Sequence, residues 1–349
     1  MTNLTQAAYY TKRILTAAIM VLVGIIVLRS SLTITQAIWN KFRPEPPPEP
    51  TVAFGKLPKI EFPEQKIPDL NFKLETIEGA LPLFEELGKV YFIPQKNISL
   101  LSLERAKDKA LSLGFRNDPE SINNISYRWT KNTEPKTILE MNINTGSFYL
   151  HHFYEESPIF LAGRKLISDD QAILIARNWF SAGDSFDKEL NKGHGEVIRY
   201  QFAPPNLLPA NSISETDFIR VNLFREDLDD LKILPPNPKE SLISILISAT
   251  QGTKEKVLEV KYNFYPIDRE TQSTYPLKLV SQAWEELQNN QAYIAHLGKN
   301  QDGNVVIRKV TLAYYDSGTS INFLQPIYVF EGDRDFFAYV SAISDAWLQ

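Results

Sequence analysis

The run Tyr315-Asp316-Ser317-Gly318-Thr319-Ser320 carries the hydrophobic–Asp–Ser/Thr–Gly–Ser/Thr pattern of an aspartic-protease loop. That chemistry needs two aspartates sharing one proton, hence a second such loop or a symmetric dimer. The chain has no second copy, and the 31 residues after Gly318 are too few to complete a lobe. The run therefore reads as a loop leaving a strand. Gly183-Asp184-Ser185 offers a serine nucleophile, which would need a His acceptor oriented by a carboxylate. The tripeptide falls just past a helix end, where Gly and Asp serve as cap and turn, and no G-x-S-x-G is present.

The four histidines and the clustered aspartates are the other candidates. His151 and His152 are neighbours in a strand, so they point to opposite faces and cannot chelate one ion together. His194 lies between Gly193 and Gly195, as in a loop, and His296 ends a strand. Without H-E-x-x-H or cysteine, a zinc site would have to be assembled from distant parts. Asp227, Asp229 and Asp230 alternate as calcium ligands do, but the Gly and closing Glu of an EF-hand are missing, so an acidic turn fits better. Asp333 and Asp335 read as a hairpin tip. No phosphate-cradling glycine loop is present. Phe, Tyr and Trp make up 11% of the chain, and core packing accounts for most of them. A carbohydrate- or peptide-binding groove would draw on a few, which the pattern leaves open. No catalytic, cofactor-binding or metal-ligating set is expected.

The 349 residues are 43% hydrophobic and 23% charged, a globular composition that excludes wholesale disorder and a multi-span transporter. A net charge of −5 gives no electrostatic reason to bind nucleic acid. The absence of cysteine removes disulfides, thiolate chemistry and a lipoprotein anchor.

Ile14–Leu28 is free of charge. Continued to Trp39, past Arg29, it is long enough for one transmembrane helix, with Tyr9, Tyr10 and Trp39 suited to the interfaces. Arg29 would then snorkel toward the far headgroups. The alternative is a cleaved signal peptide, for which Thr35-Gln36-Ala37 is the passable site, although distant from the apolar run. Lys12 and Arg13 argue for an inside N-terminus and are opposed by Arg29, Lys41 and Arg43. The long C-terminal part favours a signal anchor with the N-terminus in and the C-terminus out.

Residues 40–68 form a proline-rich linker in which Arg43–Pro68 holds eight of the 22 prolines. Its first part should be a polyproline-II strut of ~25 Å. Val52, Phe54, Leu57, Ile60 and Phe62 are too apolar for water and should lie along the domain surface. An SH3 or WW ligand is the rival reading of the prolines.

The remainder alternates helices with strands. Helices are expected over Ser102–Leu113, from a Ser168–Gln171 capping box, and from near Pro276. Strands are expected at Phe72–Ile77, Val90–Pro94, Ser126–Lys131 and Ile138–Tyr154, the last a hairpin folded at Asn144-Thr145-Gly146. More follow at Val197–Phe202, Phe218–Arg225, Leu242–Ala249, Val257–Tyr265, Ala292–Leu297, Val305–Tyr315, Pro326–Glu331 and Phe336–Ala342. One helix followed by antiparallel strands, three times, is an α+β chain. The expected parts are a cytoplasmic tail 1–13, a membrane helix 14–39, the linker 40–68, and α+β modules 69–190 and 191–349.

Tyr275-Pro276 opening a helix with Ala283-Trp284, a strand Val310–Tyr315, Gln325-Pro326 leading Ile327–Phe330, and a closing Tyr339-Val340 strand resemble the C-terminal domain of YycI/YycH-type regulatory proteins. The helix ending Leu113–Phe115 and the hairpin around Asn144–Leu150 look like PepSY modules. The resemblance implies an extracytoplasmic domain on a single-pass anchor that modulates a sensor histidine kinase or an envelope protease. The proline-rich spacer departs from that family. The sequence thus points to a membrane-anchored, non-catalytic binding or regulatory protein, with the lipid bilayer and a membrane or envelope protein as partners and no nucleic acid. The rivals are a structural envelope protein, marked by long exposed sheet edges, and an envelope hydrolase, marked by Asp, His and Ser gathered in one pocket.

Overall fold

The apolar N-terminal run is the centre of one helix, α1 (Asn3–Phe42), in a computed structural model that describes residues 3–42, 48–65, 69–95, 99, 101–132, 134–156, 167–181, 188–249 and 257–349. Its segment Ala8–Gln36 has a mean hydropathy of 2.2 and buries nothing against protein, so it is apolar enough to span a membrane. Polar hydroxyls within it are turned back on the helix: Thr16 donates to the Lys12 carbonyl at 3.0 Å and Thr33 to that of Arg29 at 3.1 Å. Hydrocarbon would otherwise leave those groups unsatisfied.

Met1–Glu49 and Pro50–Gln349 are separate compact units. The folded body therefore begins at Pro50, inside the stretch read as linker. Residues 43–47 of the strut and 66–68 lie outside the described residues. Between them the chain is a strap whose apolar side chains are used as expected. Leu57 is fully buried and exchanges backbone hydrogen bonds with the C-terminus, Leu57 N to Trp347 O at 2.8 Å and Gln349 N to Leu57 O at 2.9 Å. Phe54 packs on Phe323 with ring centroids 5.0 Å apart.

Beyond the strap come β1 (Asn71–Leu74), β2 (Leu87–Phe92) and α2 (Ser102–Ser112). Ala106 and Ala110 give α2 its buried face, and Gly114, at φ +84°, supplies the left-handed residue that stops it. Next are β3 (Glu120–Ser121), β4 (Ser126–Lys131) and the hairpin β5 (Thr137–Asn142) and β6 (Phe148–His152). The turn is made by Asn142, whose Oδ1 accepts from the backbone of Asn144 and Thr145, and by Gly146 at φ +80°. The capping box at Ser168 and Gln171 opens α3 (Asp169–Ser181), with both reciprocal bonds at 3.3 Å.

The short α4 (Lys188–Lys192) leads to β7 (Gly195–Ala203), β8 (Asn206–Pro209), β9 (Phe218–Leu223), β10 (Ile233–Leu234), β11 (Ile243–Ser248), β12 (Val257–Tyr262) and β13 (Asp268–Pro276). Then follow α5 (Val280–Gln288), β14 (Tyr293–His296), β15 (Asn304–Tyr315), β16 (Phe323–Gly332) and β17 (Phe336–Ser341).

Two sheets result, and the protein is α+β. Sheet I has eight strands, ordered β1-β15-β16-β17-β14, with β2, β10 and β13 joined at its side. Sheet II is antiparallel with nine strands, ordered β3-β4-β5-β6-β12-β11-β9-β7-β8. Helices α2 and α3 cover one face of sheet II through Ala110, Ala172, Ala176 and Phe180. Helix α5 covers one face of sheet I through Ala283 and Leu287, and the strap crosses the other face.

Sheet II takes strands from both sides of position 190/191, the expected boundary between the two α+β modules. Strands β7, β9, β11 and β12 complete the sheet begun by β3–β6, because β6 pairs along β12 in the register Leu150↔Val260. An unpaired β6 would leave an apolar open edge. Sheet I is likewise opened by β1 and β2 and finished from β13 onward. The strand β13 was not expected: DRETQSTYP is polar, and most of its side chains face water or only half-bury.

Candidate functional site

Tyr315 and Gln325 face each other as cross-strand partners where β15 ends and β16 begins, and the intervening loop is the Asp-Ser-Gly-Thr sequence. Its aspartate is not free for chemistry. Asp316 is 3% exposed and accepts from Arg225 Nη1 at 2.7 Å and from the Gly318 backbone N–H at 3.1 Å. Arg225, just past β9, also donates from Nε to Glu189 of α4 at 2.7 Å and from Nη2 to the Tyr265 carbonyl at 3.0 Å, and it lies 4.6 Å over the Phe264 ring. Burial pulls the guanidinium pKa down, but the facing Asp316 and Glu189 carboxylates more than offset this and hold it above its ordinary value. One buried arginine is thus shared by two buried carboxylates, and the cluster joins sheet II, α4 and the loop of sheet I.

The loop is fixed from a second direction. Gly318 has φ +67°, and a Cβ there would lie 2.6 Å from Leu242 Cδ2. Its carbonyl accepts from Asn263, while Ser317 and Thr319 pair through their hydroxyls at 2.8 Å.

The strap faces this loop. Phe62 stacks on Tyr293 with ring planes 4° apart and meets Tyr315 edge-on at 4.9 Å. Tyr339 completes the aromatic face, 6.1 Å from Tyr315. Between strap and loop is a cleft of about 500 Å³, bordered by Lys59, Phe62, Tyr315, Ser320, Asn322 and Gln325 among others. That volume lies within the ~300–1,000 Å³ range of small-ligand sites.

Two polar atoms on the cleft's buried side have no hydrogen-bond partner, the Tyr315 hydroxyl and Gln325 Oε1. The other end of the Gln325 amide is bound, donating to the Pro58 carbonyl at 2.8 Å. Burial, followed by the neighbouring Tyr293 and Asp316, drives the Tyr315 pKa upward, so it stays a neutral hydroxyl. A second cleft of about 340 Å³ lies on the other side of Phe62, against Tyr293 and Asn290.

The remaining candidates are dispersed. Gly183-Asp184-Ser185 lies outside the described residues. His152 is buried with Nδ1 2.9 Å from the Thr137 hydroxyl. His151, on the opposite face, sits 3.6 Å from Glu155 and 3.9 Å from Glu259, and Glu259 is already bound by Arg220 at 2.9 Å. His194 stacks on Phe224 at 4.6 Å, and His296 ends β14. Among the described residues, no three His, Asp or Glu side chains are grouped as metal ligands.

Asp229 accepts from Tyr91 and lies 3.1 Å from Lys89. Burial raises its pKa, but those hydrogen bonds and nearby Arg269 reverse this and leave it lowered. Asp229 and Asp230 both adopt left-handed φ, 52° and 61°, as the acidic-turn reading implies. Asp333 is clasped by Arg308 and Asp335 by Lys239, 2.9 Å away. Sequence reasoning missed Arg225, Glu189 and Gln325. Arg225 and Asp316 are 91 positions apart, so no local spacing links them.

No protein-family model matches the chain, and no curated protein does. Among solved structures, it is similar to an uncharacterized protein from Eubacterium rectale ATCC 33656, at 13% identity and a TM-score of 0.41, over 74% of this chain and 84% of that one.

Proposed function

We propose that the protein is a membrane-anchored binding protein whose folded body recognises a ligand through the cleft between strap and loop, without catalysis. The observation that carries this reading is the pairing of a cleft of about 500 Å³ with two buried polar atoms on its wall that lack partners. Buried polar groups in folded proteins are mostly hydrogen-bonded, because leaving one unpaired costs about 1–3 kcal/mol; of the seven such atoms among the described residues, these two belong to side chains that line the cleft. A ligand that supplies the missing bonds recovers that cost.

The anchor is α1, with the N-terminus cytoplasmic and the body extracytoplasmic. Tethering would confine the body near other envelope components and raise its effective concentration there. YycI-like modules, and regulation of a sensor kinase or envelope protease, are what the resemblance between Tyr275 and Val340 implies, and PepSY-like modules are what the likeness at Leu113–Phe115 and Asn144–Leu150 implies. They name the process into which such binding would feed.

The test uses the full chain in lipid nanodiscs, with hydrogen–deuterium exchange followed as fractions of the cell envelope are added. Protection confined to 58–63 and 315–325 supports the reading. Protection only elsewhere, or none with any fraction, overturns it. Protease treatment of intact cells checks orientation: digestion of the C-terminal body is expected, and full protection contradicts it.

A further inference from the structure

The chemistry of the cleft wall narrows the class of ligand. We infer that the cleft takes a neutral carbohydrate, an inference that rests on the binding role given to it above.

Charge comes first. Lys59 and Glu61 both border the cleft and are exposed, one of each sign. The Asp316 carboxylate lies behind the wall, bound to Arg225, and does not line the cleft. The residues that line the cleft therefore carry one charge of each sign and give no basis for selecting an anion or a cation.

The polar wall comes second. Ser317 and Thr319, paired with each other, and Ser320, which donates to Gln95, bring hydroxyls that can still accept, and Asn322 brings an exposed amide and Gln325 an amide oxygen. These groups both donate and accept, and ligand hydroxyls do the same. Gln325 Oε1 needs a donor, and the Tyr315 hydroxyl takes either role. The rings of Phe62 and Phe323, both half-buried, add flat apolar surface beside these polar groups. A sugar ring offers the same alternation of polar rim and apolar face.

The rival ligand is an extended peptide, which would add itself to a free strand edge. At the cleft those edges are taken. Tyr315 pairs with Gln325, and Phe323 and Leu324 pair with Phe92 and Tyr91 of β2. The strap opposite contains Pro58 and Pro63, which have no N–H to donate. Recognition here falls to side chains.

Because the two unpaired atoms have almost no exposed surface, a ligand hydroxyl reaches them only when neighbouring side chains move, as Ile60 and Phe62 of the strap must at Tyr315. Among the described residues, backbone hydrogen bonds hold the strap at Leu57 and Lys59 and none holds 60–65, so such a displacement costs side-chain packing and at most the hydrogen bond between Gln65 and Tyr293. Binding should therefore alter exchange in the strap as well as in the loop.

The experiment titrates the full chain in nanodiscs with chitotetraose, maltotetraose and a dextran oligomer, with tetra-alanine as the peptide comparison. Binding is read by calorimetry and by exchange at 58–65 and 315–325. Saturable binding of at least one saccharide is expected, weakened tenfold or more in Ser320→Ala/Asn322→Ala with an unchanged melting temperature. If tetra-alanine protects the cleft and no saccharide does, the carbohydrate assignment is wrong while the binding role stands. If no probe binds, but envelope fractions protect the same residues, the carbohydrate assignment again fails alone. If neither probes nor fractions protect them, both fail.

Discussion

The loop 316–321 has two sides that treat polar atoms in opposite ways. Toward sheet II, Asp316 meets Arg225, whose guanidinium is shared with Glu189 and the Tyr265 carbonyl. Toward the strap, Tyr315 and Gln325 present a hydroxyl and a carbonyl oxygen to nothing. Asp316, Tyr315 and Gln325 are all buried, so the difference among these three does not come from access to water. A cluster whose bonds are closed internally fixes geometry, and a wall whose bonds are left open is where a second molecule gains the most. The closed side holds the open side in shape, since Asp316 also accepts from the Gly318 backbone.

The largest expected effect tests the closed side. Arg225→Ala would strand two carboxylates among buried neighbours, and breaking a buried ion pair costs about 3–5 kcal/mol. Urea denaturation should show a loss of that size. A loss below 1 kcal/mol, the ordinary ceiling for surface pairs, would mean that the cluster is not what holds the loop. Gly318→Ala comes next. It forces an L side chain to φ +67° and sets its Cβ 2.6 Å from Leu242. Roughly 1–3 kcal/mol should be lost, read by the same method.

Local features were legible in the sequence and distant ones were not. The hairpin at Asn144-Thr145-Gly146 and the capping box at Ser168 and Gln171 depend on residues within a few positions of each other. The burial of Leu57 and the stacking of Phe62 followed from apolar residues that a linker could not keep in water. The pairing of β6 with β12 depends on which edges meet after collapse, and no local signal on either side of 190/191 announces it. The candidate site divides the same way. Its loop stood out as a motif, but its meaning lay in Arg225, far off in the chain, and in Gln325, whose unpaired oxygen exists only through packing.

A smaller effect is set by pH at another polar cluster. The Asp229 carboxyl is held below its ordinary value against the opposing pull of burial, by Tyr91, Lys89 and Arg269. A carboxyl with a depressed folded pKa stabilises fully above its unfolded value, near ~4. That stability is lost as pH falls through the folded value. Asp229 is 36% exposed, so water screens the interaction and the gain at neutral pH is at most about 1 kcal/mol. Melting curves of the wild type and Asp229→Asn should differ by that amount at pH 7 and converge as pH falls below about 4. A gap that widens on acidification would show that the carboxyl is held up, not down.

The smallest effect on stability falls on the open side of the loop. Ser320 donates to Gln95, but the Gln95 amide is also held by the Ile93 and Ile321 carbonyls, so losing the hydroxyl frees no buried group. Asn322 is exposed, and its role in the fold is its backbone carbonyl, which accepts from Ile93 at 2.8 Å. Removing both side chains should change unfolding free energy by no more than about 0.5 kcal/mol, measured by urea denaturation. The same pair lies on the cleft wall, where the loss of two polar groups should be felt by a ligand and by little else. A change above 2 kcal/mol in the double variant would show that this side of the loop also maintains the fold, and the contrast between the two sides would be gone.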